Sequence, residues 1–86
     1  MEIKIAPQTL KKAIEQGATE EEIDATIRTG KDLNSESEWL GKTRTFAFMG
    51  ERDNEFFEQK KLDVYFSVEN KLITALDIDV FYGTFS

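Results

Sequence analysis

Cysteine and histidine are both missing from this 86-residue chain, and proline and tryptophan occur once each. Without cysteine there is no disulfide framework, no thiolate nucleophile and no zinc-thiolate site, and a small fold without staples points to a reducing compartment. Without histidine the commonest general base near neutral pH and the commonest transition-metal ligand are gone, so Ser-His-Asp and Cys-His chemistry are excluded. Basic residues are also scarce: 11 Lys and Arg face 17 Asp and Glu, a formal net charge of -6. That sign argues against holding nucleic acid by phosphate neutralisation and favours a protein partner with a basic surface. No apolar run approaches the roughly 18 to 20 residues of a membrane span, and the start, Met1-Glu2-Ile3-Lys4-Ile5, has neither a basic leader nor an apolar core segment. Cytoplasmic residence without membrane contact is the expectation.

What is present suffices for one small domain over residues 1–86. Hydrophobic residues make up 40% of the chain, including seven Phe, two Tyr and one Trp, and 33% charged residues give it a polar exterior. Pro7 suits a first helical turn, and Leu10, Ala13, Ile14 and Gly17 recur at helical spacing, with Gly17 as a stop. Thr19 with Glu22 forms a capping-box pattern at the start of a second helix, whose inner face carries Ile23 and Ile27. The acidic Glu20, Glu21 and Glu22 sit where the helix dipole favours them, so helix electrostatics accounts for the triplet without a docking partner. Gly30 ends that helix, and residues 31–42 read as a connecting loop in which Trp39 is a lid over the core edge or an exposed anchor.

From Thr43 the period changes to two. Thr43 to Met49, Lys61 to Val68 and Leu72 to Tyr82 read as strands, with a further short strand at Ile3 to Ile5. The expected fold is α+β: an N-terminal helical hairpin packed on one face of an antiparallel sheet of three to four strands.

The last hairpin decides where its aspartates point. A three-residue loop at Glu69-Asn70-Lys71 pairs Val68 with Leu72, Val64 with Leu76 and Leu62 with Ile78, which keeps the large apolar residues together. On the other face Asp63 then lies opposite Asp77, and Lys61 opposite Asp79. Like charges directly opposed cost stability unless water, a cation or a basic partner separates them. Three readings of Asp63, Tyr65, Asp77 and Asp79 stand open: a solvated face, a recognition face for Lys and Arg of a partner, and a Mg²⁺ or acid-base site, for which two strand aspartates supply few ligands. The connection over residues 50–60 offers a second candidate anchor, because Phe56 and Phe57 lie among four acids and an extended chain points only one of two neighbours inward.

The run T-L-K-K-A-I-E-Q-G-A-T-E-E-E-I-D-A-T-I-R-T-G-K, residues 9–31, followed by L-D-V-Y-F-S-V-E-N-K-L-I-T-A-L-D-I-D-V-F, residues 62–81, resembles small domains of the RelE/ParE and barnase-like (BECR) group of ribonuclease-toxin folds. The resemblance implies a compact α+β fold and, for active members, RNA cleavage. Members often carry a His and an Arg on the first helix, where this chain has Thr9, Lys11 and Lys12, and known toxins of the group are generally basic. Were cleavage retained, Arg44, Lys61 and Tyr65 would be left to hold phosphate, with a carboxylate as base. The charge of -6, the opposed Asp63 and Asp77 and the acid-flanked Phe56 and Phe57 together favour a non-enzymatic interaction module, an inhibitor or immunity-type antagonist of a basic nucleic-acid-binding partner, with no cofactor and no metal, over a ribonuclease-like enzyme or a purely structural role.

Overall fold

The computed structural model describes residues 1–35 and 38–85. It begins with strand β1 (Glu2–Ile5), continues through helices α1 (Pro7–Glu15) and α2 (Glu20–Thr29), and closes with β2 (Lys31–Asp32), β3 (Leu40–Arg52), β4 (Glu55–Glu69) and β5 (Leu72–Gly83). The strands form one sheet in the order β1-β5-β4-β3-β2, antiparallel except that β1 runs parallel to β5. This overturns the expected helical hairpin on a three- to four-stranded antiparallel sheet. The architecture is α+β with a five-stranded mixed sheet, and the two short helices lie against different strands, α1 on β5 and α2 on β3 and β4.

Local chemistry explains the helix boundaries. Pro7 opens α1, where its missing N–H costs nothing. The helix ends in a Schellman arrangement: Ala18 N donates to Ala13 O and Gly17 N to Ile14 O, each at 2.9 Å, with Gly17 at φ 101°. That φ favours glycine, and a Cβ there would also strike the Tyr82 hydroxyl. Thr19 and Glu22 then form both bonds of the capping box, at 3.0 and 3.1 Å.

The segments assigned to loops supplied the extra strand. Residues 50–60 are the tip of a long hairpin, not a connection: β3 and β4 continue to a two-residue turn at Asp53-Asn54, both with positive φ. Such a turn matches the right-handed twist of its strands, and Asp and Asn tolerate that backbone region. At the start of the meander, Lys31 and Asp32 pair with Thr43 and Lys42, adding β2 to the sheet edge.

The core lies between the helices and one sheet face. Ala13, Ala18, Ile23 and Ile27 meet Leu62, Val64 and Phe66 of β4 and Ile73, Ala75 and Ile78 of β5. Ile14, expected on the inner face of α1, is exposed instead. Lys60 shares this inner row and is only 6% exposed; its Nζ donates to Gly17 O and Glu22 Oε1, each at 2.8 Å, tying β4 to the start of α2. No helix among the described residues is long and apolar enough to cross a membrane.

Candidate functional site: the open sheet face

The face away from the helices carries the candidate residues, and its geometry follows from one turn and one bulge. Asn70 and Lys71 both have positive φ, 51° and 65°, so the turn has two residues and pairs Glu69 with Leu72. Continued unbroken, that register would set Val64 against Asp77. The ladder shifts between Tyr65 and Phe66: Phe66 pairs with Ala75 and Tyr65 with Asp77, so Leu76 is the extra residue of a bulge. The inward row of β5 therefore changes parity, from Ile73 and Ala75 to Ile78 and Val80, and all apolar partners stay inside.

The bulge sits where the neighbour of β5 changes. β1 pairs with Leu72 to Ala75 and stops; beyond it α1 lies along the strand, with Thr9 Oγ1 donating to Leu76 O at 3.3 Å and Tyr82 Oη to Gln16 O at 2.6 Å.

The expected pairings on the open face are corrected accordingly. Asp63 lies opposite Asp79, not Asp77; Asp77 lies opposite Tyr65; and Lys61 lies opposite Phe81, not Asp79. Lys61 Nζ sits 5.1 Å from the Phe81 ring centroid and 5.0 Å from that of Phe85. Asp63 Oδ1 accepts a hydrogen bond of 2.7 Å from Thr43 Oγ1. Among the described residues the three ion pairs are Arg28–Asp24, Lys42–Asp32 and Lys60–Glu22, so no salt bridge reaches Asp63, Asp77 or Asp79.

Protonation reflects this lack of compensation. Partial burial, then the charges of Asp77 and Asp63, hold the Asp79 carboxyl above its ordinary value, with Lys12 opposing. The Tyr65 hydroxyl is pushed up by burial and by Asp63, Asp79 and Asp77 in that order. No group of three or more carboxylates among the described residues is placed to hold a metal ion.

The second candidate anchor is remote. Phe57 rests on Tyr82 at 5.6 Å between ring centroids, with Phe48 on the same tyrosine at 5.1 Å, while Phe56 is 56% exposed. Phe56 lies seven residues from Asp63 along β4, about 23 Å at the usual strand rise, so the two sets do not form one site. Trp39 is 42% exposed and lies beside Leu40, which is also exposed. Arg44 occupies the helix-side row opposite Leu62; its Nη1 donates to Thr29 Oγ1, and its guanidinium covers the Phe46 ring. Tyr65 lies four residues from Lys61 along β4, about 13 Å, so Arg44, Lys61 and Tyr65 do not converge on a common point.

Lys60 was the functional-looking residue that sequence reading passed over. Its position in the even row with Leu62 and Val64 carried the signal. No protein-family model, curated protein or solved structure matches the chain.

Proposed function

We propose that the chain is a small non-enzymatic interaction module whose open sheet face docks on a basic protein surface, through Asp63, Asp77 and Asp79 around the Tyr65 ring. One observation supports this above others: Asp63 and Asp79 face each other across β4 and β5 without an ion pair, while the same-face cation Lys61 is held by two aromatic rings. Lysines and arginines of a partner would relieve a repulsion that the fold leaves standing. A net charge of -6 would speed the encounter with a basic surface and make it sensitive to salt. A nucleic-acid-binding surface is the partner class this complementarity suits, which makes the chain an inhibitor or antagonist of such a protein.

The test is affinity capture from a cell extract with the parent and with an Asp63→Asn/Asp77→Asn/Asp79→Asn variant side by side. A basic protein retained by the parent, lost by the variant and released as salt rises supports the reading. Equal retention by the variant, or binding indifferent to salt, contradicts it.

A further inference from the structure

β1 is an edge of the sheet with one side open. It pairs with β5 over Glu2 to Ile5, and among the described residues no strand pairs with its other side. Alternate residues of β1 therefore turn their N–H and C=O groups outward without a ladder partner. Arg28 Nη2 donates to Met1 O at 3.0 Å and ties the start of the strand to α2. The far end of the sheet also has an unpaired stretch, β3 beyond Thr43, but a bulge between Ala47 and Gly50 interrupts it, with Met49 at φ 48°. Such a bulge twists an edge away from further pairing. β1 has none, since its register with β5 runs without a shift.

The sequence of this edge is its own complement. Ile3 and Ile5 pack against the core on the helix side, and Met1 shares their parity and is 63% exposed. Glu2 and Lys4 alternate with them and are exposed. Laid antiparallel on a second copy about a twofold axis at Ile3, the strand sets Glu2 opposite Lys4, Ile3 opposite Ile3 and Ile5 opposite Met1 of the other copy. One row is then apolar throughout, and the other pairs opposite charges throughout. Opposite charges directly across a ladder stabilise it and like charges destabilise it. An axis at Glu2 or at Lys4 would set that residue against its own copy, so charge selects the register centred on Ile3.

We infer that β1 pairs with β1 of a second copy of this chain, joining two five-stranded sheets into one continuous sheet. The axis stands perpendicular to the sheet, so the helices of both copies share one side and the two acidic open faces share the other. A groove of about 390 Å³ lies beside this edge, lined by Ile3, Ile5 and Ala25 and by the carboxylates of Glu20, Glu21 and Asp24 on α2. The incoming strand lays its own Met1 and Ile3 along the apolar wall. The same geometry turns the acids of the two α2 helices toward each other, and each copy carries a net charge of -6. Association is therefore weak in dilute salt and strengthens as salt screens that repulsion. A strand of four residues buries little area, which places the dimer in the weak, concentration-dependent class. Docking of the open face on a basic surface responds to salt in the reverse sense, so the two associations are separable.

Sedimentation velocity of the full chain, from dilute to millimolar protein and at rising sodium chloride, reads the association, and amide chemical shifts locate it. A mass that climbs toward that of a dimer with concentration and with salt is expected, with shifts concentrated at Met1 to Ile5. Lys4→Glu and Glu2→Lys should each weaken association by about tenfold, because two opposite-charge pairs become two like-charge pairs. The combined Glu2→Lys/Lys4→Glu variant restores both pairs with their signs exchanged and should associate as the parent does. Net charge alone predicts otherwise, since Glu2→Lys lowers the repulsion between copies and would strengthen association. Lys31→Glu, the same change of charge at the opposite edge of the sheet, should leave association close to that of the parent. All three positions are exposed, so each variant keeps the folded amide spectrum. A chain that stays monomeric throughout, a double variant that fails to recover, a Glu2→Lys variant that associates more strongly, or shifts centred elsewhere would overturn the inference.

Discussion

Lys60 and Lys61 are neighbours in sequence and opposites in circumstance. Lys60 points under the helices, satisfied by a carbonyl and a carboxylate; Lys61 points to the open face, where it lies over two aromatic rings and forms no salt bridge among the described residues, although Asp63 and Asp79 share that face. Strand alternation assigns the two sides, and burial then decides what each charge requires. A charge under the helices must be compensated within the fold, because an unpaired one costs several kcal/mol. A charge on the wet face can be left uncompensated for a few tenths of a kcal/mol, which leaves it free to meet something outside the molecule.

The widest gap between the two sides is expected from alanine substitution of each lysine. Lys60→Ala strips Glu22 and Gly17 O of their shared donor in a nearly buried setting and should cost about 3 kcal/mol in urea denaturation. Lys61→Ala should cost less than about 1 kcal/mol, the scale of an exposed cation–π contact. Equal losses would erase the distinction between the faces.

Gly17→Ala probes the inner side through its backbone. Positive φ and the clash with the Tyr82 hydroxyl together should cost about 2 kcal/mol. A neutral outcome would mean that the Schellman turn relaxes, and with it the carbonyl that Lys60 needs.

The smallest effect has the opposite sign. Asp79 holds its proton more tightly in the folded chain than in the unfolded one, so the stability it contributes is fully present below its unfolded value, near 3.8, and is lost as pH rises through the higher folded value. Asp79→Asn should therefore stabilise the protein by a few tenths of a kcal/mol at neutral pH. That gain should vanish when the melt is repeated in acid. A loss of stability at neutral pH would mean that the carboxylate has a favourable partner.

Sequence patterning made some of this legible and concealed the rest for specific reasons. The helix boundaries at Pro7, Gly17 and Thr19 were readable because capping is local chemistry. The open face was readable as a set, since Asp63, Tyr65, Asp77 and Asp79 oppose an apolar row. Their pairing was not, because a bulge shifts register without a composition signal of its own. Its trace was the change of parity from Ile73 and Ala75 to Ile78 and Val80, hidden when Leu72 and Leu76 were counted as inward in their place. The polar hairpin tip at Arg52-Asp53-Asn54-Glu55 resembled a loop because its outer strand positions are charged on both sides.

The account turns on whether the open face carries carboxylates that no salt bridge among the described residues neutralises. The direct measurement is the Asp79 carboxyl titration, followed by carbon NMR in the parent and in an Asp63→Asn/Asp77→Asn variant. The account predicts a midpoint above 3.8 in the parent that moves down toward it in the variant, where the two neighbouring charges are gone. A parent midpoint at or below 3.8, unmoved by the substitutions, would show that Asp79 is already compensated and contradict the account.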